Sequence, residues 1–473
     1  MLAIPYRDQI LQDEQELYKF LLTCHEKSRS KGCLQIVSLS QEINHIDPLA
    51  VCQKIAQPNQ IHFYWENPRK QEAIAGYGTA QSLTLGTGTR FIKSQQFIQD
   101  CQKNIVKFGD LHLPFAGPHF FCSFTFVPKQ SRLNCLFPSA TIFLPKLQIA
   151  KKKGCCVLVA NLAISPHTDL VFTINQLKQQ IKKINSSTLL KLQFKSRQHK
   201  KFYKDPQANS AHQFTSAVAS ALKSIHAKKF SKIVLAHAFD VTSPEPFKLI
   251  NSLYNLRKRH PDCYIFSLSN GQGDNFVGAS PERLISIQNN KLFTDALAGS
   301  APRGKSFCED MRLASELFRS QKERREHQAV SQFIIQRLLE LGLDPQQMAL
   351  EVLRLSNIQH LRTKITAQVP ENISLLDIVS QLHPTPAVAG VPTPIACEEI
   401  CRYENFDRSL YAAPLGWVDY QGNGDFIVGI RSALIKGNSA RLYAGAGIVA
   451  GSQPHKEFAE VQIKLQAMLK SLV

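Results

Sequence analysis

A lysine lies in the middle of an otherwise apolar strand pattern. The segment "SKIVLAHAFDV", residues 231–241, alternates with a period of two residues, which predicts a β-strand. Lys232 falls on the same face as Val234 and Ala236, and the opposite face is also largely apolar. We therefore expect a strand that is covered on both sides and that directs an ammonium group inward.

A carboxyl group follows a proline at the entry to a second predicted strand. In "GASPERLISI" the rigid Ser-Pro segment directly precedes Glu282. Two interpretations are open for Glu282: a surface charge at the mouth of a strand, or a general acid or base near apolar strand faces. The next hairpin strand contains "ALAGSAPRG", where Gly299 and Ser300 leave room for a ligand to reach backbone N–H groups.

A predicted helix, "KERREHQAVSQFIIQRLLE", directs a carboxylate toward the interior. Glu326 precedes Val330 by four residues and therefore lies on the apolar stripe. A buried carboxylate needs a cation, a metal ion or a proton to offset its desolvation. Glu323, one turn earlier, either shares this task or is exposed.

The C-terminal helix, predicted to begin after an N-cap at Ser452, presents Glu457, Glu460 and Lys464 on one stripe. The simplest interpretation of Glu460 and Lys464 is a surface ion pair at i,i+4 spacing. The preceding "YAGAGIVAGS" favours a second one, because glycines such as Gly447 let the backbone approach an anion beside the helix N-terminus.

An arginine repeats the pattern of the inward lysine. In "DFIVGIRSALI", Arg431 shares its strand face with Gly429 and Ala433, and these small neighbours leave a hollow around the guanidinium. Such a hollow suits bidentate binding of a carboxylate. A structural salt bridge is the alternative.

Taken together, these side chains form an inventory typical of an enzyme. Carboxylates that converge from two helices suit a hard divalent ion such as Mg²⁺. The arginine, the lysines and the glycine N–H groups suit a small polyanionic substrate. The sequence contains neither a phosphate-binding P-loop nor zinc-ligand spacing, which would indicate other chemistries.

Hairpins and helices must position these groups. Turn sequences "NGQGDN", "QNNK", "QGNGD" and "KGNSA" predict hairpins in the second half of the chain, and helical patterns separate them. This predicts an α+β fold rich in antiparallel sheet. A Lys-, Gln- and Ser-rich stretch over 185–212 divides the chain into 1–205, a variable N-terminal part of the fold, and 206–473, the catalytic region, and we expect both to belong to one continuous structural unit.

Composition narrows the class of protein. The formal net charge is +19, with basic residues concentrated in 191–205, but no nucleic-acid-binding motif accompanies them. We expect steering of small anions and no nucleic acid, with a non-catalytic nucleic-acid-binding protein as the remote alternative. The absence of an apolar leader, of a spanning segment and of a disulfide framework predicts a cytoplasmic protein without membrane contact, and we expect a monomer.

The motifs, in their order along the chain, resemble those of the chorismate-utilising enzymes, the family that includes anthranilate synthase component I. They are "KIVLAH", "FVGASPERL", "ALAGSAPRG", "KERREH", "LHPTPAVAG", "FDRSLYAAPLGWVD", "IRSALI" and "LYAGAGIVAGSQPHKEFAE", and the similarity covers about 211–471. This resemblance implies two large antiparallel sheets packed together with helices outside and the site between them. It also implies chorismate as the substrate.

The resemblance implies a role for each candidate residue. Lys232 is similar to the general base that activates water for attack at C2, and Glu282 to the general acid that protonates the departing C4 hydroxyl. Glu326 and Glu460 resemble Mg²⁺ ligands, with Glu457 adjoining through water. The implied substrate contacts are Gly299 and Lys464 at the ring carboxylate, Arg431 and Gly447 at the enolpyruvyl carboxylate, and His383 in the wall of the pocket. Ser300 is a further candidate for substrate binding because it follows Gly299 in "ALAGSAPRG".

Two features select a branch of this family. Amine-forming relatives typically carry glutamine where Lys232 stands, because ammonia needs no lysine base. Salicylate-forming relatives keep the lysine but typically read more like "SGxPK" where this chain has "PAVAGVP". The resemblance is therefore greatest to the isochorismate synthase branch, with isochorismate as the product, and salicylate synthesis, which adds elimination of pyruvate, is the alternative.

Overall fold

The computed structural model describes residues 11, 13–57, 59–86, 88–128, 136–185, 203–204, 209–356 and 358–472. Most of the basic run at 191–205 lies outside these residues. No helix within the described ranges is long and apolar enough to cross a membrane.

Eleven α-helices occur in the described part of the chain. They are α1 (Glu14–Lys31), α2 (Pro48–Ile55), α3 (Arg90–Lys103), α4 (Leu170–Asn185), α5 (Asn209–His226), α6 (Leu249–Arg259), α7 (Phe307–Arg319), α8 (Gln321–Glu340), α9 (Leu375–Leu382), α10 (Thr393–Tyr403) and α11 (Pro454–Leu469), with one 3₁₀ turn at Pro68–Lys70.

The strands of the described residues are mostly short and follow one another closely. They are β1 (Gln35–Ile43), β2 (Ile61–Asn67), β3 (Glu72–Tyr77), β4 (Gln81–Leu85), β5 (Ile105–Gly109), β6 (His119–Phe124), β7 (Ala140–Leu144), β8 (Leu147–Lys152), β9 (Cys155–Ile164), β10 (Tyr203–Lys204), β11 (Lys232–Thr242), β12 (Tyr264–Asn270), β13 (Asp274–Ser280), β14 (Arg283–Gln288), β15 (Lys291–Pro302), β16 (Gln346–Gln347), β17 (Glu351–Arg354), β18 (Ile358–Gln368), β19 (Gly390–Val391), β20 (Pro414–Asp419), β21 (Gly424–Val428), β22 (Ser432–Lys436) and β23 (Ser439–Val449).

These strands form two large sheets. The first has the order β10-β11-β23-β22-β13-β12-β2-β3-β8-β9-β1-β5, with β19 beside β11. The second has the order β16-β18-β15-β14-β21-β20-β6-β7-β4, with β17 beside β18. Pairing is antiparallel apart from β1 with β5. The predicted α+β fold with two large antiparallel sheets is confirmed.

The two sheets pack face to face over an aromatic core. Phe63 of the first sheet stacks on Phe121 of the second with ring centroids 4.7 Å apart. Trp65 meets Trp417 edge-on at 6.1 Å. Aromatic rings bury large apolar areas and favour such offset and edge contacts, so they hold the sheets at a fixed spacing.

Both sheets contain strands from both halves of the chain. In the first sheet β12 pairs with β2, and in the second sheet β20 pairs with β6. Neither 1–205 nor 206–473 therefore completes a sheet by itself.

The four hairpins expected from turn sequences are present. They are β12–β13, β14–β15, β20–β21 and β22–β23. The predicted start of the C-terminal helix is one residue early: Gln453 is the N-cap of α11, while the hydroxyl of Ser452 accepts a hydrogen bond from Val449 N at 3.2 Å. Ser452 thus closes the turn between β23 and the helix.

Candidate active site

A cavity of about 240 Å³ opens between the two sheets, beside the N-terminal ends of α8 and α11. The first sheet contributes Val234 of β11 and the glycines of β23. The second sheet contributes β15 and β18, and Glu282 lies at the junction where β13 leads into β14. Residues far apart in sequence therefore meet in one polar hollow.

Lys232 is fixed at the start of β11, where it pairs with Val449 of β23 and Val391 of β19. The residue is 4% exposed. Its Nζ donates a hydrogen bond to Glu326 Oε1 at 2.7 Å, and Glu326 belongs to the cavity wall. The inward lysine and the inward carboxylate predicted from separate segments are thus direct partners.

Glycine at position 447 leaves the space for this ion pair. A Cβ at Gly447 would lie 3.3 Å from Lys232 Cε and 3.5 Å from Glu326 Oε1. Burial works to raise the pKa of Glu326, but the ammonium of Lys232 outweighs it and the pKa is lowered. Glu326 is accordingly a carboxylate anion in this structure.

Glu282 is 8% exposed and lies in the same cavity. Its backbone is held on both sides, because Glu282 N donates to Ser280 Oγ at 3.2 Å and Glu282 O accepts from Val428 N at 3.1 Å. Burial raises the pKa of the Glu282 carboxyl to about 7, against the opposing effect of the Lys232 ammonium. A carboxyl with such a pKa can donate a proton near neutral pH.

A β-bulge shapes the opposite wall. The register between β15 and β18 shifts between Ala298 and Ser300, and Gly299 has a φ of 78°, which favours glycine. Ser300 N donates to Glu323 Oε2 at 3.1 Å. Burial, followed by the charge of Glu326, raises the pKa of Glu323. Of the two interpretations of Glu323, the structure favours a place in the site.

His360 is a wall residue that sequence reasoning missed. Its Nδ1 lies 2.9 Å from Ser300 Oγ, and no partner for its buried Nε2 occurs among the residues described. Burial, aided by the positive charges of Arg431 and Lys464, lowers the pKa of His360 to about 3, so the ring is neutral. The sequence offered no local signal for it, because His360 falls on the same strand face as Arg362 and Lys364, which reads as an ordinary polar face.

His383, which the resemblance implied for this wall, is not among the cavity residues. It is the C-cap of α9, and its Nε2 lies 2.9 Å from the carbonyl oxygen of Phe126. Burial lowers the pKa of this ring to about 3 as well. His383 thus lies outside the residues that line this cavity, with its ring bonded to the backbone beside the second sheet, and its role in substrate binding stays a prediction.

Arg431 lies between β21 and β22 with a φ of 49°, an uncommon backbone conformation for a residue with a side chain. Its guanidinium Nη1 donates to Cys263 Sγ at 3.7 Å. No carboxylate lies within ion-pair distance of Arg431 among the residues that the structure describes. The guanidinium thus remains available to an anionic ligand, which favours the binding interpretation over the structural salt bridge.

The first turns of α11 close the cavity. Lys464 Nζ donates to Glu460 Oε1 at 2.7 Å and to the carbonyl oxygen of Gly445 at 2.8 Å. Burial, together with the charge of Glu460, raises the pKa of Glu457. The surface-pair interpretation of Glu460 and Lys464 holds for their ion pair, but both residues also line the cavity.

The donor set fits a hard divalent cation. Glu323 and Glu326 of α8 and Glu457 and Glu460 of α11 face the same cavity, and mutual repulsion contributes to the raised pKa values of Glu323 and Glu457. No group of three His, Cys, Asp or Glu side chains converges on one point within the described ranges.

Comparison with known proteins gives a consistent assignment. Residues 19–473 match the family described as "Chorismate binding enzyme". The chain is 33% identical over 453 residues to the salicylate biosynthesis isochorismate synthase of Pseudomonas aeruginosa (92% of this chain, 90% of that protein). It is 30% identical over 464 residues to the isochorismate synthase MenF of Bacillus subtilis (96% and 97%).

Among solved structures, the menaquinone-specific isochorismate synthase of Escherichia coli superposes with a TM-score of 0.76 at 26% identity, covering 96% of this chain and 100% of that one. The similarity thus extends over both sheets and the cavity between them.

Proposed function

The chain belongs to the chorismate-binding enzyme family, and from this premise we propose that it is an isochorismate synthase that converts chorismate to isochorismate with Mg²⁺ as its cofactor. The observation that carries the proposal is that Glu282, a carboxyl of the cavity wall whose pKa is raised to about 7, lies close enough to Lys232 to feel its positive charge, while Lys232 is bonded to Glu326 of the same wall.

The reaction adds water at C2 of the ring and releases the C4 hydroxyl as water. Lys232 must first give up the proton that it shares with Glu326, and the neutral amine then removes a proton from the attacking water, while Glu282 gives a proton to the departing hydroxyl. After the chemical step Lys232 is protonated and Glu282 is ionised, so the two groups can exchange roles in the reverse direction. Before the next forward turnover Lys232 releases its proton to solvent and Glu282 takes one up. Atoms and charge balance without a redox partner.

Substrate binding follows from the cations of the cavity. Chorismate carries two carboxylates, and Arg431 offers a planar fork for one of them. Lys464 and the backbone at Gly299 and Gly447 are assigned to hold the substrate beside the acid–base pair. Ser300 is assigned to the same wall, where it orients His360.

Glu326 and Glu460 are the proposed Mg²⁺ ligands, with Glu323 and Glu457 adjoining them. When bound, Mg²⁺ neutralises the charge of a substrate carboxylate and fixes its orientation. Three lysines, Lys232, Lys322 and Lys464, lie near these carboxylates and offset part of their negative charge, which leaves an excess of negative charge for a cation.

A product assay tests this function. Purified protein is incubated with chorismate, with and without Mg²⁺, and products are separated by liquid chromatography. We expect isochorismate as the main product only when Mg²⁺ is present. Salicylate and pyruvate as main products would instead support the salicylate synthase alternative, and the absence of any turnover would reject the proposal.

We also propose that the enzyme acts as a cytoplasmic monomer that binds neither nucleic acid nor membrane. In support of the compartment, the cysteines that the structure describes are free thiols. Light scattering tests the oligomeric state. A gel shift at low salt, where basic proteins bind nucleic acid most tightly, tests whether the protein binds nucleic acid.

A further inference from the structure

A second cavity of about 390 Å³ lies on the other side of the wall that contains Arg431. It shares Ser300, Arg431, Glu460 and Lys464 with the proposed catalytic cavity. The remaining walls come from α6, the ends of β13 and β15, the start of β18, and α11. Its volume is within the range that accepts small organic ligands.

One face of α11 forms a long side of this second cavity. Ala459, Ile463 and Ala467 follow one another at helical spacing along that side. The opposite face of the helix, with Val461 and Leu465, is buried in the core. Ile463 is 67% exposed, although it lies beside an apolar hollow that includes Leu256 and Ile358. Exposed apolar surface of this kind, facing a concave site, is typical of a ligand site.

The charges of the second cavity favour an anion. Arg431 and Lys456 contribute positive charge, while the charges of Lys464 and Glu460 offset one another in their ion pair. Arg431 has no carboxylate partner, and the same holds for Lys456, within the ranges that the structure describes. A ligand that fits must therefore combine an apolar body with a single negative group.

We propose that this second cavity binds a small aromatic or alicyclic carboxylate, with its ring against Ile463 and Ala467 and its carboxylate toward Arg431. Because Arg431 and Lys464 belong to both cavities, such a ligand competes for the cations that the first cavity needs. On the proposed function, binding of this ligand raises the KM for chorismate more than it lowers kcat. Coupling between the two ligands is reciprocal, so chorismate weakens binding of the carboxylate equally.

Direct binding tests the site without reference to activity. 1-Naphthoate is titrated into the full-length protein by calorimetry, in the absence of chorismate, and the neutral analogue 1-naphthylmethanol is titrated in parallel. We expect saturable binding of 1-naphthoate and at least tenfold weaker binding of the alcohol. No binding of the carboxylate, or equal binding of both compounds, would overturn the proposal.

Two variants locate the ligand. Ile463→Asp places a negative charge beside the cavity at an exposed position, and Ala467→Phe fills the hollow from the side of the helix. Both should weaken 1-naphthoate binding at least tenfold. The matched control is Ile395→Asp, because Ile395 is an exposed isoleucine of α10 that lines neither cavity. Unchanged affinity in Ile463→Asp would place the ligand elsewhere, the catalytic cavity included, and would reject this site.

Discussion

At the scale of single residues, Glu282 combines two properties that oppose one another. A carboxyl that is almost completely buried is disfavoured as an anion, and this raises its pKa to about 7. The same burial makes the ionised form costly to the fold. Glu282 is therefore a site where catalytic use and stability are coupled through pH.

Glu282→Gln should separate these two effects. The variant cannot donate a proton, so kcat should fall by about 10²–10⁴-fold. In the native protein, stability contributed through Glu282 is complete below about pH 4.5 and is lost as pH rises through 7, because the folded state holds the proton more tightly. A change from 4.5 to about 7 corresponds to roughly 3 kcal/mol. Urea unfolding measures the free energy of unfolding at pH 4.5 and at pH 8. Between these two pH values the native protein should lose this amount of stability and Glu282→Gln should not. The control Glu371→Gln, at an exposed position, should lose as much stability as the native protein.

Lys232→Ala should remove most of the turnover and leave the fold intact. The substitution removes the proposed base and leaves Glu326 without its ion-pair partner. A loss of about 10²–10⁴-fold in kcat is expected, measured by the product assay, with circular dichroism to confirm folding. Lys229→Ala, at an exposed position three residues earlier, should retain full activity. An active Lys232→Ala enzyme would contradict the assignment of the base.

Glu326→Gln should weaken the binding of Mg²⁺. The variant loses one carboxylate of the proposed pair and, with it, the charge that attracts the cation. We expect the concentration of Mg²⁺ needed for half-maximal activity to rise at least tenfold. Calorimetric titration with Mg²⁺ in the absence of chorismate gives a second measurement. An unchanged titration would show that Glu326 serves only the ion pair with Lys232.

At the scale of elements, the pairing of β11 with β23 decides the geometry of the base. Lys232 lies opposite Val449, and Gly447 lies opposite Val234 on the same strand pair. Because Gly447 has no side chain, the ammonium can pass beside it and reach the N-terminal part of α8. The glycine in the strand is thus explained by the close approach of a neighbouring side chain.

Gly447→Ala should disturb this arrangement without unfolding the sheet. The new methyl would contact Lys232 Cε at 3.3 Å, which is tight, so the lysine or α8 must shift by a fraction of an ångström. A roughly tenfold or larger loss in kcat/KM is expected, because catalysis depends on exact placement of the base. Gly86→Ala is a suitable control, since a Cβ there meets no atom within 4 Å and should leave kinetics unchanged.

At the scale of the whole molecule, a polar network joins the two halves of the chain. Arg257 of α6 donates to Glu66 of β2 at 2.8 Å and to Asp47, the N-cap of α2, at 2.7 and 2.9 Å. Tyr64 also donates to Glu66 at 2.8 Å. Burial works against ionisation of Asp47, but its hydrogen bonds with Arg257 prevail and lower the pKa of this carboxyl. The network therefore reinforces the sheets that the halves already share.

Arg257→Met should destabilise the protein as a single unit. Removing the guanidinium leaves two carboxylates without their cation, at a cost of roughly 2 kcal/mol for groups that remain partly exposed. Thermal unfolding should keep one transition at a lower midpoint, while Lys258→Met, at the exposed neighbouring position, should change the midpoint little. Two separate transitions would contradict a shared core.

The sequence by itself determined the hairpins, the class of fold and most of the reactive groups. Local patterns suffice for these features. Period-two alternation predicts that Lys232 points inward, turn residues mark the hairpins, and helical spacing predicts that Glu326 faces the core. Such signals come from residues within a few positions of one another, so they survive without knowledge of the fold. The resemblance of the motifs to a known family then indicated the family and the reaction.

Only the tertiary structure decided which groups meet. It paired Lys232 with Glu326 and placed His360 in the cavity wall, because the β15–β18 register sets Ser300 opposite His360. It also revealed a second cavity that shares Arg431 with the first. These outcomes depend on strand order and register between segments tens of residues apart, and these long-range pairings are fixed by packing of the whole core. No local pattern encodes them.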